Sequence, residues 1–297
     1  MSFDSILNDL MKISQTPKAQ LAKYKAEGKK VIGVLPYYAQ EELVYAAGMV
    51  PMGIWGSNTK TISRAREYCA TFYCTIAQLA LEMLLDGTMD QLDGIITPTI
   101  CDTLRPMSQN FRVAMGDKLP VIFLAHPQNR FDANGLTFTV SQYAHIKAEL
   151  EKISGQPITD EAVQNAIKVY NKSRAAAGSW RWPRNMPTPS PPSAAPLLAL
   201  AKQFAAIDYD VLLYDPASAK NRRGEFVAQM VKDSGAQGLV LLMQQFCDPE
   251  EMEYPYLKKA LDDAGIPHIK IGVDQQMRDF GQARTALQAF ADVLALQ

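Results

Sequence analysis

Apolar residues in this chain follow two alternating rhythms. Short runs rich in β-branched residues occur at 29–38, 50–56, 92–100, 119–127, 209–215, 238–246 and 267–273. Each is compact, and several are bounded by glycine or proline, as buried strands of a parallel sheet are. Between them, apolar residues recur at helical spacing. Residues 3–28 carry a stripe through Ile6, Leu10, Ile13 and Leu21, and 41–49 form a short helix closed near Gly48. The span 63–86 reads as one long helix, capped by Ser63 and stopped at Gly87. Further helices are expected at 105–115, 141–153, 159–177 (capped by Thr159), 221–234, 251–264 and from Gly281 onward. Strands alternating with helices predict an α/β protein with two doubly wound, mainly parallel-sheet domains and a helical appendage.

The domain pattern has one irregularity. Residues 178–196 hold six prolines between Pro183 and Pro196, and Trp180 and Trp182 as well. A Pro-rich linker is the simple reading, but disordered linkers are poor in aromatics. The expected division is 1–177 as an N-terminal α/β domain with helices, 178–196 as a Pro-rich junction, and 197–297 as a partial C-terminal α/β domain. Three strands and two crossovers are thin for an independent parallel sheet, which usually has about five or six strands.

Composition narrows the function classes. A net charge of −1 over 297 residues gives no pull toward nucleic acid or an anionic membrane surface. No apolar run reaches the length of a bilayer span, and the N-terminus does not read as a signal peptide, so a cytoplasmic protein is expected. Four cysteines in such a chain argue against structural disulfides. None forms a C-x-x-C pair, and three scattered histidines give no metal or triad signal. No G-x-G-x-x-G or Walker A sequence is present. The Asp279-Phe280-Gly281 tripeptide lacks every companion motif of a kinase.

The chemistry-bearing pattern lies at two strand ends. GIITPTI (94–100) leads into Cys101-Asp102, and GLVLLMQQF (238–246) leads into Cys247-Asp248. In open α/β sheets, ligands gather at the carboxyl ends of strands. Free cysteine is also a common buried hydrophobe, so a packing role stands beside the functional one. Each cysteine precedes helix-start residues, and a helix N-terminus favours thiolate over thiol. Both positions therefore suit anionic ligands to a cluster or metal. Cys69 and Cys74 lie about 140° apart on a regular helix, so at most one of them faces such a site. Cys74 has the stronger case, beside Phe72, Tyr73 and Ile76, which could shield a cofactor from water. Three ligands on three elements would leave one iron of a four-iron cluster open. Tyr37 to Glu42, after the first strand, forms a candidate pocket lip, although Glu41 and Glu42 are equally ordinary helix-start acids.

Read together, residues 35–56, 67–111, 120–127, 245–268 and 279–294 resemble the 2-hydroxyacyl-CoA dehydratase family, which includes benzoyl-CoA reductase subunits. The resemblance covers roughly 1–176 and 197–297 and runs nearest to the beta-type subunits. It implies a [4Fe-4S] cluster held by Cys74, Cys101 and Cys247, with Cys69 not needed. It also implies a related alpha subunit as heterodimer partner, an ATP-dependent iron–sulfur activator and an acyl-CoA substrate, with no nucleic-acid or membrane partner. The expected reaction converts (R)-2-hydroxyglutaryl-CoA to glutaconyl-CoA. Some members carry FMN, which leaves that cofactor open here. A subunit of a related dehydratase or acyl-CoA reductase, or a non-catalytic cluster-binding remnant, is the competing reading.

The resemblance breaks after Arg174-Ala175. Family beta-type subunits continue there through further helix and the first strands of the second domain. Here residues 178–196 replace that block, about eighty residues or several βα elements. A second domain short of strands is expected to expose apolar surface.

Overall fold

The computed structural model describes residues 2–35, 38–55, 60–178, 195–207 and 222–296. The expected strand at 209–215 and nearly all of the 178–196 junction lie outside these residues.

Four strands, β1 (Val31–Val34), β2 (Val50–Gly53), β3 (Gly94–Pro98) and β4 (Val121–Leu124), form one parallel sheet in the order β2-β1-β3-β4. This is a doubly wound arrangement whose strand order reverses between β1 and β3. The helices that follow those two strands, at 41–46 and 104–115, pack on opposite faces of the sheet.

The two faces explain the sequence rhythm. Val31, Leu35 and Ile95 point into one core, packed by Leu79, Met83, Leu104 and Phe111. Ile32, Val34, Ile96 and Ile122 point into the other, against Leu43, Tyr143, Ile146, Leu150 and Val163. The period-two alternation thus serves two buried layers rather than one. At Gly33 a Cβ would stand 2.3 Å from Ile54 Cδ1, so a larger residue at that point of β1 would displace the Ile54 side chain.

On the first face lie α2 (Pro17–Ala26), α4 (Thr75–Leu85) and α5 (Leu104–Met115). On the second lie α3 (Glu41–Ala46), α6 (Ala133–Ser154), α7 (Asp160–Gly178) and α8 (Pro196–Ala205). The expected helix over 3–28 divides at Thr16 into α1 (Phe3–Gln15) and α2, because Pro17 cannot continue a helix but suits a first position. The expected helix over 141–153 begins earlier, where Asp132 accepts from Gly135 N at 2.6 Å. Helix α8 was not expected at all. Its Ala199, Leu200 and Ala201 are buried in the second layer of the first sheet. Residues 196–205 therefore pack with the N-terminal unit.

The expected long helix over 63–86 is a 3₁₀ turn (Arg64–Glu67) followed by α4, with an irregular bend between them. Ser63 makes no side-chain cap. The Glu82 carboxylate instead accepts from Ser63 N, Ser63 Oγ and Ala65 N, each at 2.9 Å. A buried acid arriving from another helix satisfies donors at the start of the turn.

The C-terminal part holds β5 (Leu239–Gln244) and β6 (His268–Val273), paired in parallel. Its helices are α9 (Arg222–Ser234), α10 (Asp248–Asp263) and α11 (Gly281–Ala295). Leu239 and Leu241 pack into a small core with Ala228, Val231, Leu257 and Leu261. The alternate residues Val240 and Leu242 remain 39% and 64% exposed.

Candidate functional site

Cys101 follows β3, at the carboxyl end of a strand beside the point where the strand order reverses. Its Sγ accepts from Leu104 N at 3.4 Å, the first residue of α5. Cys247 follows β5 and is the N-cap of α10, with Pro249 in the first turn. Cys74 is the N-cap of α4. All three thiols therefore sit at helix starts. For Cys101 and Cys247 this is the environment expected from their sequence. For Cys74 it replaces the expected mid-helix position, and the angular argument against Cys69 and Cys74 sharing a site no longer applies. What separates those two is placement. Cys69 is 8% exposed within the first core, and its thiol donates to Ala65 O at 2.9 Å.

The electrostatics of the three thiols share one form. Burial raises the thiol pKa of Cys74, and the N–H groups of Ala77 and Ile76 oppose that rise. Burial likewise raises Cys101, opposed by the N–H groups of Leu104 and Thr103, with the Cys74 thiolate adding to the rise. Burial pushes Cys247 up to about 12, opposed by Glu250 N–H and reinforced by Glu250, Cys74 and Cys101. Each sulfur thus faces amides at a helix start, and the three lie close enough to repel one another as thiolates. Cys69 is pushed up to about 11 by burial and then by Glu82, with no other thiol involved. Burial thus keeps the sulfurs of Cys74, Cys101 and Cys247 as neutral thiols near neutral pH, while the helix-start amides and their mutual proximity set what ionising them would require. Among the described residues, no three His, Cys, Asp or Glu side chains converge tightly enough to hold a single metal ion.

Non-glycine residues near the strand ends have positive φ. Tyr38 after β1 and Phe246 immediately before Cys247 have φ of 67° and 60°, a left-handed conformation that costs energy in non-glycine residues. Gln40, with φ of 55°, donates through Nε2 to the Tyr143 hydroxyl at 2.5 Å. Glu42, beside it, is buried and forms an ion pair with Arg174. These bonds anchor the start of α3, so part of the expected pocket lip has a packing role. The expected aromatic shield around Cys74 is also partial, because Phe72 is 65% exposed.

Two features had no signal in the sequence. His126, just after β4, stacks on Phe204 at 4.5 Å, and neither ring nitrogen has a partner among the described residues. Burial holds its pKa down to about 3. Gln244 Nε2 donates to Thr75 Oγ1 at 3.2 Å, linking the end of β5 to the residue after Cys74.

The profile of a protein family described as "2-hydroxyglutaryl-CoA dehydratase, D-component" matches residues 36–181 and 177–294. The chain belongs to this family. It is 49% identical to "(R)-2-hydroxyglutaryl-CoA dehydratase, subunit beta" of Acidaminococcus fermentans, covering 99% of this chain and 100% of the relative. It is 32% identical to "(R)-phenyllactyl-CoA dehydratase beta subunit" of Clostridium sporogenes, covering 98% of this chain and 99% of the relative. A third relative, "Lactoyl-CoA dehydratase subunit beta" of Anaerotignum propionicum, is 30% identical over 98% of this chain and 99% of its own length.

The alignment to the Acidaminococcus protein spans 379 positions, whereas the chain has 297 residues, a difference of 82 (379 − 297). At least that many positions of the alignment have no counterpart here. The family profile matches in two segments that meet at 177–181, where the Pro-rich junction begins.

Proposed function

We propose that this chain is the beta-type subunit of a 2-hydroxyacyl-CoA dehydratase acting on (R)-2-hydroxyglutaryl-CoA, and that Cys74, Cys101 and Cys247 hold a [4Fe-4S] cluster. It works beside a related alpha-type subunit and an ATP-dependent iron–sulfur activator. Identity of 49% along the whole relative supports the substrate. The cluster assignment is carried by the three thiols, set on three elements and each facing a helix start.

That donor set fits a cluster better than a single ion. In a cluster each thiolate binds its own iron, so the sulfurs stand apart while remaining near one another. Helix-start amides stabilise the thiolates and donate to sulfur, the outer contacts that tune such a centre.

Elimination from a 2-hydroxyacyl thioester removes hydroxide from the carbon beside the carbonyl and a proton from the next carbon. That proton is not acidified by the carbonyl, so simple base catalysis faces a high barrier. When bound, the cluster supplies one-electron chemistry that avoids this barrier. This chain's residues hold it. Cys74 and Cys101 come from the first unit and Cys247 from the second, so bringing the two units together completes the ligand set. Apolar packing around Cys74 and Cys101, including Tyr73 and Ile100, limits access of water.

Iron and acid-labile sulfide, measured after anaerobic purification of the chain with an alpha-type partner, test the reading. Near four of each per beta-type chain, beyond what the partner carries alone, is expected. A chain with full iron but no dehydration in the complete complex would favour the cluster-binding remnant, a reading supported by the 82 unmatched positions. Turnover of phenyllactyl-CoA or lactoyl-CoA in place of 2-hydroxyglutaryl-CoA would move the substrate while keeping the family.

A further inference from the structure

The three thiols come from two parts of the molecule, and what joins those parts is unusual. Among the described elements, no helix or strand of the first unit packs broadly on one from β5, β6, α9, α10 or α11. The connections that stand out are side-chain carboxamides. Gln244, the last residue of β5, donates to Thr75 Oγ1 at 3.2 Å. Gln275 and Gln276, just past β6, donate to Trp55 O at 3.0 Å and to Lys60 O at 2.9 Å. All three donors leave the carboxyl ends of the second sheet, and all three acceptors lie on the first unit.

We propose that Gln244, Gln275 and Gln276 form a carboxamide latch that sets Cys247 against Cys74 and Cys101. The link is short at both ends. Cys247 N donates to Gln244 O at 3.2 Å, and Thr75 directly follows Cys74. One bond therefore joins the neighbours of two thiols. Gln244 is itself held. Its N–H donates to Glu250 Oε2 at 2.7 Å, and its second Nε2 hydrogen is directed to Gln245 O at 3.2 Å. Gln245 N donates to Val273 O at 2.8 Å, which couples the end of β5 to the end of β6. Gln276 N donates to Asp274 Oδ1 at 2.5 Å, fixing the loop that carries the other two carboxamides. The three glutamines thus project from one braced edge.

Neutral amides suit this place. They give directional bonds without adding charge beside three sulfurs that must ionise together. All three are positioning residues, since none is a candidate ligand.

The cluster-free full chain is the material for the test, with alkylation of each cysteine by iodoacetamide resolved by mass spectrometry. A hydrogen bond with a net worth of about 1 kcal/mol corresponds to roughly a fivefold change in the open population. Gln244→Ala is expected to speed alkylation of Cys74, Cys101 and Cys247 about fivefold and leave Cys69 unchanged. Cys69 lies in the first core and serves as the internal control. Thr75→Val should match that effect, and the double variant should add little, as a shared bond requires. Gln244→Ala with Gln276→Ala should act roughly twenty- to thirtyfold, because those bonds are separate. Equal acceleration of all four thiols would mean general destabilisation and overturn the latch, as would no change at any of them. The proposal takes its purpose from the cluster reading, but alkylation without metal does not depend on it. Intact latch behaviour in a chain that never binds iron would sink the cluster reading alone.

Discussion

Glu82 offers the sharpest test of how the first unit is built. It is 3% exposed, yet it is an acid in the apolar helix α4. Its two oxygens receive Ser63 N, Ser63 Oγ and Ala65 N, and so tie the 3₁₀ turn to the helix. Burial opposes its charge, but the three donors outweigh burial and hold the carboxyl below its ordinary value. Glu82→Gln keeps the shape. The amide oxygen can still accept from both backbone N–H groups, and the NH₂ can donate to the Ser63 hydroxyl. What disappears is charge assistance, worth about 2 kcal/mol over the set. Glu82→Ala strands two backbone donors in a buried setting and should cost about 4 kcal/mol. Urea denaturation followed by circular dichroism measures both. The sign with pH follows from the lowered pKa. The carboxylate's contribution is complete above its unfolded pKa of about 4.3 and is lost as pH falls through the lower folded value. The gap between wild type and Glu82→Gln should therefore be constant from pH 7 to 5 and shrink below about pH 4. A gap that is absent at pH 7, or that widens on acidification, would falsify the reasoning.

Cys101→Ala and Cys247→Ala should each remove most of the bound iron and acid-labile sulfide, whereas Cys69→Ala should retain them; metal analysis of anaerobically purified protein decides, and loss with Cys69→Ala alone would reverse the assignment. His126 has a depressed pKa through burial, so the unfolded chain takes up its proton first, and stability should fall as pH drops from about 6.5 toward 3. His126→Leu should flatten that part of the profile, visible as a smaller difference in denaturation midpoint between pH 8 and pH 5. Leu242→Gln should cost less than about 0.5 kcal/mol here, because the side chain is 64% exposed, and a cost above 2 kcal/mol would show that the face is covered in solution.

The carboxyl ends of the strands were legible because apolar runs and the residues after them are local signals. Cys101 and Cys247 fell where those signals put them. The bend between Cys69 and Cys74 was not legible, since it depends on Glu82 meeting donors 17 and 19 residues earlier. Helical spacing continues through 63–86, and a tertiary carboxylate overrides it. The break at Thr16 had a visible cause in Pro17 that the apolar stripe concealed. Helix α8 follows directly on a Pro-rich stretch, and only its burial against α6 and α7 explains it. Gln244, Gln275 and Gln276 carried no signal, because a glutamine at a strand end reads as ordinary solvent-facing polarity. Their partners lie 169, 220 and 216 residues away.

The exposed face of β5 belongs to the strand that leads into Cys247. A parallel sheet is normally covered by helices on both sides. Residues 239–243 read Leu-Val-Leu-Leu-Met, a run suited to burial on both faces. Leu239, Leu241 and Met243 do pack inward, while Val240 and Leu242 lie open. Helix α11 reaches only part of that side. Its Phe290 and Leu294 come against Gly238, yet the helix has no buried residue. Side chains of β5 thus keep the apolar character of a two-sided strand in a chain whose alignment lacks at least 82 positions. Cys247 sits at the end of this same strand. With little broad packing between the two units, its position depends strongly on the ends of β5 and β6. That is why the three carboxamides, rather than the small core behind them, are the place where the third thiol is gained or lost.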